Sequence, residues 1–154
     1  MLIEEMKEEK VKYKLIENYL KNYKHYKTAI GILQEQLEYL IPGFQVNYQC
    51  DDDGVQFKLN KQSDSQESID RLSSLKALVI YEELIQKKMT LDSIEKSLEQ
   101  LNQTEYDFIH LRYFQEKSAV ATSIELGYSE KYIFQLRKKI LEKLLIPLSG
   151  LLIM

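Results

Sequence analysis

Residues 101–144 read LNQTEYDFIHLRYFQEKSAVATSIELGYSEKYIFQLRKKILEKL, and their punctuation predicts three short helices with sharp stops between them. Asn102 is a good first cap, and Glu105, three residues later, is placed to reach back to the cap nitrogen as a capping box. Tyr106, Ile109 and Tyr113 then recur at helical spacing, with Leu111 and Phe114 widening the apolar face. Ser118 caps a second helix running through Leu126. Gly127 stops that helix, because glycine takes the left-handed conformation at little cost. Ser129 caps the third.

The third helix carries Ile133, Leu136, Ile140, Leu141 and Leu144 on one side. Glu130, Lys131, Phe134, Gln135, Lys138 and Glu142 lie on the other, with Arg137, Lys139 and Lys143 on the flanks. From Glu130 to Lys143 it spans about 21 Å at 1.5 Å per residue, long enough to lie in a major groove. Its early residues then face base edges and its later basic residues meet phosphates. The order of cap, glycine stop, second cap and basic exit is the layout of a helix-turn-helix. The competing reading of the same pattern is a plain helical bundle with a solvated, lysine-rich face.

GYSEKYIFQLRKKILEKL (residues 127–144) resembles the second half of the helix-turn-helix in region 4 of bacterial sigma factors. LNQTEYDFIHLRYFQEKS resembles the opening of the same unit. A closer resemblance is to phage late-transcription activators of the RinA/ArpU kind, in which such a unit follows a helical N-terminal half. The likeness covers about 44 residues, 101–144, and is loose before them. One departure is Thr122-Ser123, where these units usually carry Ile-Ala. The resemblance implies a mostly α, sequence-specific DNA-binding regulator, phage- or prophage-encoded and acting on double-stranded DNA, with RNA polymerase as a further partner. In it Lys131, Tyr132, Phe134, Gln135 and Lys138 enter the major groove. Gln135 is the candidate for a base edge, since glutamine pairs bidentately with adenine. Ser118, Arg137, Lys139 and Lys143 position phosphates, Arg137 alternatively bracing the unit. Two rival readings are the small subunit of a phage DNA-packaging terminase and a sigma-like module acting on RNA polymerase or a repressor.

Charge is unevenly spread. The net is −3 overall, but 0 over residues 1–40, −4 over 41–102 and +1 over 103–154. The candidate DNA-binding end is thus the least acidic part, a modest electrostatic footprint. So weak a charge predicts that a monomer binds DNA poorly without a second copy, as in a homo-oligomer, or another protein's help. Hydrophobic residues at 44% support a folded core, and eleven tyrosines without tryptophan suit helix–helix margins. A single cysteine, Cys50, excludes a disulfide framework and fits a cytoplasmic protein. The N-terminus lacks a signal-peptide core. The apolar end LLIPLSGLLIM is too short to span a bilayer; the tail, 147–154, is expected to fold back or meet a partner, with no membrane contact.

Residues 1–100 are expected to form a helical N-terminal and oligomerisation region, ahead of the unit at 101–146. One long helix is predicted over 4–41, with Ile16, Leu20, Tyr23, Tyr26, Ile30, Leu33, Leu37 and Leu40 along a nearly heptad stripe. Pro42-Gly43 ends it. A small β-hairpin is predicted over 44–60 around Asp53-Gly54; pairing Cys50 with Phe57 or with Val55 keeps the same face inward. Asp51, Asp52 and Asp53 lack calcium-loop spacing and read as a solvated turn. After a polar linker at 61–66, a helix from Asp64 or Ser65 to about Lys87 carries Ile69, Leu72, Leu75, Leu78, Tyr81 and Ile85. Thr90 is expected to cap a further helix with Leu91, Ile94, Leu98 and Leu101. His25 and His110 have no metal-ligand spacing, and no phosphate loop, nucleophile elbow or zinc set is present. An enzyme, a metal site and a cofactor are therefore not expected.

Overall fold

The structure, a computed structural model, describes residues 2–51, 54–61 and 73–153. The chain is mostly helical. Its elements are α1 (Leu2–Lys21), α2 (Tyr23–Leu40), β1 (Phe44–Asp51), β2 (Gly54–Lys61), α3 (Ser73–Leu98), α4 (Gln103–Ile109) with a π turn (His110–Phe114), α5 (Ala119–Leu126), α6 (Glu130–Leu145) and a 3-10 turn (Ser149–Leu152). Among the described residues no helix is long and apolar enough to cross a membrane. Two compact units divide the chain: residues 1–24 with 91–154, and residues 25–90. The division does not follow the boundary expected at residue 100. The reason is that α1 buries its apolar residues with the C-terminal helices rather than with the middle of the chain.

The expected single helix over 4–41 is interrupted at Asn22. Its apolar stripe is nevertheless covered within the chain. Ile16 and Leu20 are fully buried in the first unit, and Ile30 and Leu37 are buried in the second. In the second unit β1 and β2 pair antiparallel, with Cys50 opposite Val55 and Asp51 opposite Gly54. Asp52, Asp53, Asp64, Ser65, Ile69 and Leu72, to which sequence expectations attach, lie outside the described residues.

The α3 helix differs from expectation twice. It runs unbroken through Thr90, whose hydroxyl donates to the Gln86 carbonyl at 3.0 Å. A threonine can satisfy its own turn in this way inside a helix as readily as it caps a new one. Ala77 and Leu84 are the buried residues of its first half, whereas Leu75 and Leu78 are exposed. The run from Ala77 to Tyr81 is apolar all round, so periodicity alone does not select a face.

The first unit is built on short-range signals that act as the sequence predicts. Asn102 accepts from the Glu105 N–H at 2.9 Å while Glu105 Oε1 accepts from the Asn102 N–H at 3.0 Å, forming the capping box. After Ile109 the helix widens into a π turn, with the Gln115 N–H reaching the His110 carbonyl at 2.9 Å. The wider turn lets Leu111, Tyr113 and Phe114 all point inward. The chain leaves this turn through Glu116 at φ 56°, left-handed for a non-glycine residue, with the Lys117 N–H donating to the Leu111 carbonyl at 3.0 Å. Tyr106, expected on the inner face, is instead partly exposed, and Phe108 is buried in its place.

Gly127 ends α5 at φ 75°. Its N–H donates to Ile124 at 3.2 Å, and the Tyr128 N–H donates to Ser123 at 3.0 Å, the two bonds that satisfy the last carbonyls of a helix closed by a left-handed residue. Ser129 then caps α6, accepting from the Tyr132 N–H at 3.2 Å. Ile133, Leu136, Ile140, Leu141 and Leu144 of α6 are all buried, as expected. Thr122 and Ser123, the departure from aliphatic residues in α5, are buried with their hydroxyls donating to Ser118 and Val120 carbonyls at 2.8 and 2.6 Å. The apolar tail folds back: Leu148 is fully buried, and the Tyr19 hydroxyl donates to the Leu151 carbonyl at 3.1 Å.

The same substitution has opposite signs at two glycines. Gly31 lies inside α2, and a methyl placed on it meets no atom within 4 Å; Gly31→Ala should stabilise by about 1 kcal/mol. Gly127→Ala should destabilise by about 1–2 kcal/mol, the cost of holding a Cβ in the left-handed region. Urea unfolding of the two variants tests both signs.

Candidate nucleic-acid interface

The outer surface of α5 and α6 is what remains once their inner faces are packed. On α6 the buried residues recur at steps of 3 and 4, so Lys131, Gln135, Lys138 and Glu142 fall together on the opposite side, all exposed. Phe134 projects beside them at 58% exposure, an unusual position for a phenylalanine with no partner to cover it. Tyr132 lies on the other flank, its ring 4.5 Å from that of Tyr128. Among the described residues Lys131 and Lys138 have no ion pair. Lys139 is exposed and close enough to Glu105 to act on its charge. Ser118 caps α5, accepting from the Ala121 N–H at 3.1 Å.

Two of the cations are turned toward carboxylates. Arg137 pairs with Glu17 of α1: its Nε donates to Glu17 Oε2 at 3.3 Å, and its Nη2 donates to Oε1. The Tyr113 hydroxyl donates to the same Oε2 at 2.7 Å. Lys143 donates to Glu105 Oε1 at 2.8 Å, and Glu105 is 1% exposed. The other oxygen, Oε2, is buried without a hydrogen-bond partner. Arg112 Nη1 donates to the Lys117 carbonyl at 3.0 Å, and Lys117 pairs with Glu125, so the linker ahead of α5 is also held. Arg137 and Lys143 therefore hold α6 to α1 and α4, while Lys131, Gln135 and Lys138 face outward.

The electrostatics follow from these contacts. Burial works to raise the Glu17 carboxyl, but hydrogen bonds from Arg137 and Tyr113 and the charges of Arg137 and Lys21 outweigh it, leaving it below the usual carboxylate range. Burial likewise works against Glu105, and the bonds from Lys143 and the Asn102 N–H, with the charges of Lys143 and Lys139, bring it below that range. Burial, the Glu17 charge and the hydrogen bond to it push the Tyr113 phenol up. Glu17 and Tyr113 are participants that the sequence does not flag. Glu17 lies 120 residues from Arg137, and no local spacing links them. A lone acid beside the apolar stripe of α1 is the only hint. Among the described residues no group of three or more histidine, cysteine, aspartate or glutamate side chains is placed to hold a metal.

Glu17→Ala should destabilise by about 2 kcal/mol, the range for hydrogen bonds to charged groups reduced by solvent screening at Arg137. The Glu17→Ala, Arg137→Ala double-mutant cycle should return a coupling of about 1 kcal/mol or more. Because both carboxyls titrate below the unfolded value of 4.5, the stability they contribute is complete above that value and is lost as pH falls through the lower folded values. Wild type should therefore lose more stability between about pH 5 and pH 3 than the Glu17→Gln, Glu105→Gln variant. Equal slopes in urea unfolding would contradict this.

Compared with protein-family models, with curated proteins and with solved structures, the chain matches none.

Proposed function

We propose that this chain is a sequence-specific DNA-binding transcriptional regulator whose α5 and α6 act as a helix-turn-helix of the sigma region 4 type. The observation that carries the reading is the division of labour on α6. Its inner face is packed and braced through Arg137 and Lys143, while Lys131, Gln135 and Lys138 share one exposed face. A helix held rigidly at its flanks and carrying an amide between two free ammonium groups suits the floor and walls of a major groove. The amide reads a base edge and the lysines meet phosphates. Tyr132 and Phe134 supply apolar contact to bases and sugars, and Ser118 and Lys139 contact the backbone. The late-gene activator role, the phage or prophage setting and a dimer on paired half-sites follow from the resemblance to RinA/ArpU-type activators and from the low net charge.

A second reading has its own support. Val120 and Ile124 on α5, Tyr128 in the turn and Tyr132 on α6 are exposed, Ile124 to 76%. Val120 and Ile124 share one face of α5 and the Tyr128 and Tyr132 rings meet at the start of α6, and exposed apolar residues of this kind suit a protein partner such as RNA polymerase.

Binding to the DNA flanking the gene, measured across a salt series against a scrambled duplex, separates the two. The DNA reading expects specific binding that falls steeply with salt. Gln135→Ala should relax preference at one base pair. Lys138→Ala should weaken all sequences alike and flatten the salt dependence by about one unit. Absence of binding at low salt by folded protein, together with capture of polymerase, would favour the second reading.

A further inference from the structure

Helix α1 has five lysines and five glutamates, a composition that suggests no electrostatic role. Their arrangement is different from their sum. Lys7, Lys10, Lys14 and Lys21 follow at steps of 3, 4 and 7 and so lie along one face, a ridge of about 21 Å at 1.5 Å per residue. All four are exposed. Two of the acids are engaged elsewhere: Glu8 pairs with Lys12 at 3.5 Å, and Glu9 accepts from the Tyr13 hydroxyl at 2.6 Å. Glu17 lies on the ridge between Lys14 and Lys21, its charge met by Arg137, and Glu4 stands one turn before Lys7 at the N-terminal end. Lys7, Lys10 and Lys14 have no ion pair among the described residues.

The ridge is continuous with α6. Lys10, Lys14, Asn18, Lys21 and Arg137 line one surface cavity of about 490 Å³ with Glu17 in its wall. Arg137, paired with Glu17, is thus the link between the ridge and Phe134 and Lys138 on α6. A helix is about 10 Å across, comparable to the Debye length of about 8 Å at physiological salt. The glutamates on the far side of α1 therefore cancel little of the field that the lysines present outward.

We infer that the lysine face of α1, joined to α6 through Arg137, is a second nucleic-acid contact that binds the sugar-phosphate backbone of the duplex bordering the groove entered by α6. The inference rests on the DNA-binding reading of α6 and extends it to a helix more than 100 residues away in sequence. The ligand is phosphate in a regular array. Four ammonium groups along about 21 Å run alongside about six phosphate steps of one strand at 3.4 Å each, and lysine meets phosphate as a point charge without reading sequence. The ridge would contribute affinity and orientation, leaving base preference to α6.

The test uses the full chain and a mixed-sequence duplex of about three helical turns, with affinity measured across a salt series. The triple variant Lys10→Gln, Lys14→Gln, Lys21→Gln should flatten the salt dependence by about two to three units, since each phosphate left without its lysine removes about 0.9. Its preference for the flanking DNA over a scrambled duplex should be unchanged. Lys12→Gln, on another face of α1, should leave the slope as it is. Lys10→Gln and Lys14→Gln singly should each remove about one unit, which serves if thermal unfolding finds the triple variant unfolded. Wild-type binding with an unaltered slope in these variants overturns the ridge and leaves the α6 reading standing. A slope lost in the ridge variants but not in Lys138→Ala supports the ridge and overturns the docking of α6. No duplex binding by folded wild type overturns both.

Discussion

The first unit depends on one half-buried carboxylate. Glu17 retains 14% of its exposure, too little for water to solvate a charge fully. Arg137 and Tyr113 both donate to it, and together with the Arg137 charge they outweigh the burial and favour its ionised form. The three groups come from α1, the π turn and α6. Leaving any one of them out strands a polar group near the core, so the packing of Ile16 and Leu20 against the C-terminal helices has one preferred register. Apolar contacts would tolerate sliding; a two-donor carboxylate does not.

A second carboxylate ties α6 nearer its C-terminal end. Glu105 closes the cap of α4 with one oxygen and takes Lys143 on the same atom. One residue thus serves a local purpose, starting a helix, and a long-range one, tethering another. The outward face of α6 is defined by these inward ties. With Arg137 and Lys143 engaged, Lys131 and Lys138, opposite the packed stripe, have no ion pair among the described residues. The bracing that gives the unit its stability also selects which lysines are available to a ligand.

Charge arrangement matters more here than charge total. A chain of net −3 is repelled by a polyanion at long range, yet within a Debye length only local groups count. On α1 spacing gathers four of the five lysines on one face, and on α6 two cations are tied to carboxylates of α1 and α4 while Lys131 and Lys138 share the outer face with Glu142. The exposed apolar residues on α5 lie on the same unit as the exposed lysines of α1 and α6.

Much of this was legible in residues 101–144. The capping box at Asn102, the left-handed stop at Gly127, the cap at Ser129 and the buried stripe of α6 are local events, decided by a few neighbouring residues, and each was readable from spacing alone. The outer residues Lys131, Gln135 and Lys138 followed from the same periodicity. The interruption at Asn22, the uninterrupted α3 through Thr90, and burial of Ala77 and Leu84 in place of Leu75 and Leu78 were not legible. In each case the sequence allowed two local solutions of similar energy, and packing chose between them. The joining of α1 to residues 91–154, and the engagement of Arg137 by Glu17 across 120 positions, belong wholly to tertiary structure. A side chain's partner at that separation is set by how the helices pack, and no local pattern carries it.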